Sequence, residues 1–210
     1  MAVKKLAVEI ELLTEMLGTA PKNKKIYSDY IATKTEKNGA MSDAEKKTNT
    51  AEEIEDCPEI DEKGYTGFLT DAEKGLYIPD YMVRGFLKSA CETLQTTGQL
   101  KKIPAYSKWL DRLVFTYPRK IFLGKMEPDG NIERPLRGMT PKGAMVALVK
   151  SDYISAGSRF NFEIAILENS KGLTVDVITK CLEFGQFVGF GQWRGSGGYG
   201  RFNASAIEVE

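Results

Sequence analysis

The residues with the clearest chemical potential lie near the C-terminus, in the stretch Gly189-Phe190-Gly191-Gln192-Trp193-Arg194-Gly195-Ser196-Gly197-Gly198-Tyr199-Gly200-Arg201-Phe202. Six of these fourteen residues are Gly. Such a loop is costly to order, because Gly loses the most backbone freedom on folding. In return it reaches positive φ and lets the backbone approach a partner closely. Trp193 and Tyr199 add flat π faces, and Arg194 and Arg201 add guanidinium forks. Backbone amides, aromatic faces and fixed positive charge together suit a phosphate chain with bases attached. The competing reading is a long Gly turn before the last strand, with Trp193 and Tyr199 folded back into the core.

Other chemistry is narrowed by what the chain lacks. There is no His in its 210 residues. That removes the commonest general base and the commonest zinc ligand. Carboxylate and Lys chemistry remain open, but no paired-carboxylate motif stands at a recognisable spacing, so no catalytic residue is expected. Cys57, Cys91 and Cys181 are widely spaced and form no CxxC, which argues against a zinc knuckle and against a disulfide framework. No P-loop pattern occurs around Gly124-Lys125 or Lys142-Gly143. The Gly run precedes a strand, whereas a dinucleotide fingerprint follows one and opens a helix. The acidic cluster Glu52-Glu53-Ile54-Glu55-Asp56 lacks EF-hand spacing. No cofactor and no metal are expected. No apolar run reaches membrane-span length, and the first residues enter a strand-like pattern without a signal-peptide apolar region, so a cytoplasmic protein is expected.

A net charge of zero conceals an asymmetry. Glu36 to Glu73 holds twelve acidic residues against four Lys, while Arg84 to Lys150 holds thirteen basic residues against five acidic ones. A basic body suggests a polyanion partner. Arg112, Arg119, Lys120, Arg134, Arg137 and Lys142 read either as a phosphate track or as ordinary solvated strand ends.

These residues must be positioned by elements that periodicity locates. Leu6, Val8, Ile10 and Leu12 alternate with polar residues in a half-buried strand over Val3 to Thr14. Lys22 to Glu62 is charged and poor in large apolar residues, and reads as a mobile insertion. Met82, Val83, Phe86, Leu87, Ala90 and Leu94 predict a helix from Pro79-Asp80-Tyr81 to about Thr97. Ser107 to Leu113 predicts a short second helix. Ala144 to Ile154 and Ser158 to Leu167 predict a hairpin around Ser155-Ala156-Gly157. A helix over Thr174 to Val188, the Gly-rich loop and a strand from Arg201 close the chain. Without its insertions the order is βαββαβ. This predicts an α+β fold of ferredoxin-like, RRM-related type, with the first and last strands adjacent and the whole chain, 1–210, one domain.

Two motifs on this order resemble the RAMP superfamily of CRISPR-associated RNA-binding proteins. Its members carry a Gly-rich loop between the second helix and the last strand: Gly-hydrophobic-Gly, a spacer with a basic residue, then Gly-x-Gly. Gly189-Phe190-Gly191, Arg194 and Gly198-Tyr199-Gly200 match that form, although the spacer Gln192 to Gly197 is slightly longer. Ile78-Pro79-Asp80-Tyr81-Met82-Val83-Arg84-Gly85-Phe86-Leu87-Lys88 is similar to the lead-in to the first helix of the backbone subunits that line CRISPR RNA. The resemblance implies an RNA-binding, non-catalytic antiviral-defence protein that holds single-stranded, guide-like RNA. It also implies other subunits of such a complex or further copies of itself as partners, and no membrane. The residues implied in RNA contact are Gly189, Gly191, Trp193, Arg194, Gly198, Tyr199, Gly200 and Arg201, with Arg84, Lys88, Arg134, Arg137 and Lys142 from the basic body. Without His, the superfamily's His-based cleavage is not carried over. Asp29 alone lies near the place of an Asp with which some backbone subunits cut RNA, and no motif assigns it that role. The alternative is an assembly module on the same fold, such as a Cas-like decoy encoded by a phage or mobile element. For the insertion, limited proteolysis is expected to cut first between Lys22 and Glu62. First cleavage inside Ala144 to Leu167 would contradict the domain reading.

Overall fold

The computed structural model describes residues 3–23, 64–140, 143–169 and 171–209, with side chains for all but 136–140 and 143–147 of these. Of the insertion Lys22 to Glu62 only Lys22 and Asn23 are among the described residues, and Asp29, Cys57 and Lys142 lie outside them. In chain order the strands are β1 (Val3–Leu12), β2 (Met16–Leu17), β3 (Ala20–Pro21), β4 (Tyr65–Gly67), β5 (Leu69–Asp71) and β6 (Gly75–Pro79). Then come β7 (Val114–Tyr117), β8 (Lys120–Phe122), β9 (Gly130–Thr140), β10 (Gly143–Ile154), β11 (Arg159–Leu167) and β12 (Phe202–Val209). The helices among the described residues are α1 (Asp80–Thr96), α2 (Tyr106–Leu113) and α3 (Val175–Glu183). The fold is α+β, as expected.

The chain divides into two units. The first comprises Met1–Leu17, Tyr77–Gly124 and Ile154–Glu210, and the second Gly18–Leu76 and Lys125–Tyr153. In the first, one sheet runs β12-β1-β11-β7. Every neighbouring pair is antiparallel. The predicted alternation of β1 holds, for Leu6, Val8, Ile10 and Leu12 are buried. Phe160, Phe162, Ile164 and Ile166 of β11 line up beside them, with Val8 opposite Phe162 and Leu6 opposite Ile164. One-faced burial of this kind pins the register, since a slip of one residue would turn each apolar set to water.

α1 and α3 cover that face. Val83, Phe86, Leu87, Ala90, Cys91 and Leu94 form the buried stripe of α1. Met82, assigned to that face by periodicity, is only half-buried at its margin. Asp80 sits in the first turn of α1, where a carboxylate is favoured by the helix dipole, and receives the Arg84 guanidinium at 2.7 Å. Ile178, Cys181 and Leu182 are buried on α3, whose N-cap Thr174 accepts from the Val177 N–H. Cys91 and Cys181 are buried free thiols in mutual hydrogen-bond contact. That contact holds the Cys91 thiol below its ordinary range and pushes the Cys181 thiol up. α3 stops at Glu183 and continues only as a 3-10 turn, Phe184–Gln186, short of the expected Val188. Within that turn Gly185 packs against Phe202 so closely that a Cβ there would overlap its ring.

The second unit is built on β10. β9 pairs with it antiparallel over its whole length, from Gly143 opposite Thr140 to Tyr153 opposite Gly130. β4 pairs with its other side in parallel, and β3 pairs with β4. The expected hairpin between β10 and β11 is thus not a ladder. β10 belongs to this sheet and β11 to the first. Ser155 to Ser158 does turn the chain, but its Gly157 N–H donates to the Leu12 carbonyl at the end of β1.

Inside the second unit Lys22 meets Asp152 at 2.5 Å, with side chains 11% and 4% exposed. The Tyr65 hydroxyl donates to the other Asp152 oxygen at 2.6 Å. The Lys22 ammonium also lies 4.2 Å from the centroid of the Tyr65 ring. Gly67 leaves room for the pair, since a Cβ there would stand 2.5 Å from Lys22 Cε and 2.6 Å from Asp152 Oδ2. A buried charge left without its partner is strongly destabilising. Lys22→Met is therefore expected to cost about 3–5 kcal/mol in urea denaturation, and Lys22→Met with Asp152→Leu markedly less. Additive losses in the double variant would remove the coupling.

Candidate nucleic-acid interface

The Gly-rich loop joins α3 to β12, and its geometry follows from a backbone crossing. The Phe190 N–H donates to the Gly200 carbonyl at 2.9 Å. A Cβ on Gly189 would overlap the Gly200 carbonyl, and a Cβ on Gly200 would overlap that of Phe190. Gly191, at φ 82°, faces the Leu17 carbonyl in the same way. So the close approach that requires Gly at 189, 191 and 200 is to the chain itself. Gly195 and Gly198 also have positive φ, but no protein backbone crowds them.

The side chain between the first two glycines is the anchor. Phe190 is fully buried and stacks on Phe202, ring centroids 4.5 Å apart and planes 5° from parallel. Phe86 of α1 lies 5.1 Å from both rings, and Phe160 of β11 lies 6.2 Å from Phe190. Sequence reasoning weighed Trp193 and Tyr199 as the residues to fold back into the core. They are half-buried, and the core position belongs to Phe190.

The turn after β1 holds the loop from the other side. Thr14 Oγ1 donates to the Gly198 carbonyl at 2.9 Å and accepts from the Arg201 N–H at 3.0 Å. The Gly200 N–H donates to the Glu15 carbonyl at 2.7 Å, and the Gln192 N–H to that of Leu17 at 3.2 Å. Thr14 was missed by sequence reasoning. No local pattern marks it, because its partners lie 184 and 187 residues away.

The exposed residues of the loop are Arg194, Ser196 and Gly197. Arg194 is exposed, at the start of the 3-10 turn Gly195–Gly197. Trp193 has a φ of 59°, the left-handed region that a bulky residue seldom occupies. Its carbonyl accepts from the Tyr199 N–H at 3.4 Å. Arg201 is half-buried, with its Nε out of solvent.

The other expected contacts are placed less openly. On α1, Arg84 is paired with Asp80, and Lys88 reaches Asp111 of α2 at 2.6 Å. Arg134 lies on β9 of the second unit with its guanidinium nitrogens buried. Arg137 lies on β9 opposite Val146, outside the described side chains. The loop residues, Arg84 and Lys88 thus belong to the first unit, and Arg134 and Arg137 to the second. Among the described residues no group of three His, Cys, Asp or Glu is placed to hold a metal ion. No described helix is long and apolar enough to cross a membrane.

No protein-family model matches the sequence, and no curated protein matches it. The fold is similar to a chain in the cryo-EM structure of the type III-B Cmr-beta bound to cognate target RNA, with a TM-score of 0.51 and 12% identity. The match covers 99% of this chain, which spans 61% of the length of that one. At this identity the likeness is one of fold.

Two substitutions test how the loop is held. Thr14→Val removes both hydroxyl bonds and is expected to cost about 1–3 kcal/mol, with Thr14→Ser recovering most of it. Gly191→Val adds a clash with Leu17 to an unfavourable φ, and is expected to lower the melting temperature more than Thr14→Val. A Gly191→Val protein as stable as wild type would contradict the crossing.

Proposed function

We propose that this chain is a non-catalytic RNA-binding protein of RAMP type, resembling the backbone subunits of CRISPR effector complexes. The observation that carries this reading is the place of the Gly-rich loop. It lies between α3 and β12, beside the end of β1, on a sheet ordered β12-β1-β11-β7. Taking β1, β7, β11 and β12 as the four strands of a βαββαβ unit, with α1 and α3 as its helices, the order is 4-1-3-2. We read this as the ferredoxin-like arrangement. The likeness to a chain of an RNA-bound Cmr-beta structure supports the same reading. It makes single-stranded RNA and other subunits of a defence complex the natural partners, in the cytoplasm.

In this reading the roles within the loop divide. Gly189, Gly191 and Gly200 shape it, and Arg194 meets phosphate by a charge-assisted hydrogen bond. Trp193 or Tyr199 offers a face to a base, a contact worth on the order of 1–3 kcal/mol. The open backbone at Gly195 and Gly198 lets the ligand approach. We read it as binding without cleaving, since no His is present for the superfamily's His-based cleavage and no motif gives Asp29 a cutting role.

A second reading, an assembly module of the same fold, is favoured by the charge placement. Arg84, Lys88 and Lys125 each hold a carboxylate, and the Arg134 guanidinium is buried. The cationic surface is therefore smaller than the residue count implies.

Fluorescence anisotropy with short RNA and DNA oligonucleotides at two salt concentrations separates the two. RNA binding is expected, with Arg194→Ala weakening it for all sequences and reducing the salt slope by about one phosphate contact. RNA should remain intact with added Mg²⁺ or Mn²⁺. Unchanged affinity in a folded Arg194→Ala protein would take the loop out of the interface, and absence of binding would leave the assembly module.

A further inference from the structure

The main sheet has two edges, and they are built differently. β7 has four residues and is followed at once by Pro118, which has no N–H to offer a new strand. β12 has eight residues, paired with β1 without a skipped position from Leu12 opposite Phe202 to Lys5 opposite Val209. Among the described residues no strand pairs with its other side. Natural edge strands are guarded by Lys, Pro, bulges or short length. Phe202–Val209 contains neither Lys nor Pro, and its register has no bulge. Its one charged side chain, Glu208, is engaged by Lys4 of β1. Ala204, Ser205 and Ala206 are too small to screen the backbone, and Ile207 is 65% exposed.

We propose that β12 pairs antiparallel with β12 of a second copy of this chain, about a two-fold axis at Ser205, so that two four-stranded sheets become one. A two-fold interface is self-complementary by construction, so an antiparallel strand can serve as its own partner. With Ser205 opposite Ser205, Ala204 meets Ala206 and Asn203 meets Ile207. Small side chains meet at the axis, and every residue keeps its face of the sheet. The same register separates the two Glu208 carboxylates by six residues, about 20 Å at 3.4 Å per residue, so like charges do not meet. An RNA strand does not fit this edge, because the edge carries no cation for phosphate and its single charge is a carboxylate.

Sedimentation equilibrium of the full chain over a wide concentration range tests this. The wild type is expected at twice the chain mass. Ser205→Lys places two ammonium groups face to face at the axis and is expected at the single-chain mass, with an unchanged circular dichroism spectrum. The register is tested by a pair of variants. Asn203→Lys with Ile207→Lys should be monomeric, while Asn203→Lys with Ile207→Glu should stay dimeric through two ion pairs between copies. A monomeric wild type overturns the proposal. So does a dimeric Ser205→Lys, or a charge-paired variant no more dimeric than the like-charged one. RNA affinity is measured separately, so failure here leaves the loop reading standing.

Discussion

The first unit depends on a crossing of two backbone segments at van der Waals distance. Gly189-Phe190-Gly191 passes Gly198-Tyr199-Gly200 so closely that neither Gly189 nor Gly200 has space for a Cβ. The crossing is set by Phe190, which is drawn into the cluster of Phe86, Phe160 and Phe202. Burying an aromatic ring of this size contributes about 2–3 kcal/mol, which offsets part of the ~1–2 kcal/mol per residue lost in ordering the glycines. One loop thereby ties together the end of α3, the start of β12 and the turn after β1.

That constraint changes what the glycines mean. A Gly-rich loop carrying Arg and aromatic residues reads naturally as a cradle for phosphate. Here three of the glycines in the matching motifs are required by the fold before any ligand arrives. The crossing acts as a base for the short bridge Trp193 to Gly197, in which Arg194, Ser196 and Gly197 are exposed. Trp193 at φ 59° belongs to the same construction. The bridge must reverse over few residues between fixed ends, so one non-Gly residue takes a left-handed backbone.

Period-driven features were legible in the sequence. β1, β11 and the buried stripe of α1 stand almost where alternation and helical spacing put them, because each buries one face against a single layer. Features set by distant partners were not legible. The turn at Ser155-Ala156-Gly157 is real, yet turn chemistry says only that the chain reverses, not which strand the next one will meet. β10 met β9, and β11 met β1. The need for Gly at 185 is set by Phe202, seventeen residues on, whose ring fills the space a Cβ would take. Thr14 and the pair Lys22–Asp152 carry no local signature, since each is defined by a contact across most of the chain.

Charge was the least legible property, for a related reason. Counting Lys and Arg along a segment measures potential only when their partners are elsewhere. On α1 the partners are close, with Asp80 one turn before Arg84 and Asp111 across from Lys88. The exposed Arg194 differs because the chain around it contains no carboxylate from Gly185 to Ile207. A single cation held on a backbone bridge of fixed shape can position a phosphate better than several mobile lysines, because less side-chain and loop entropy is lost on contact. The same fixed shape reaches β12. Arg201 closes the crossing with its N–H on Thr14 and its carbonyl on Leu13, and Phe202 then begins the edge strand. The loop and the open edge therefore share one anchor, and whatever disturbs Thr14 or Phe190 must act on both.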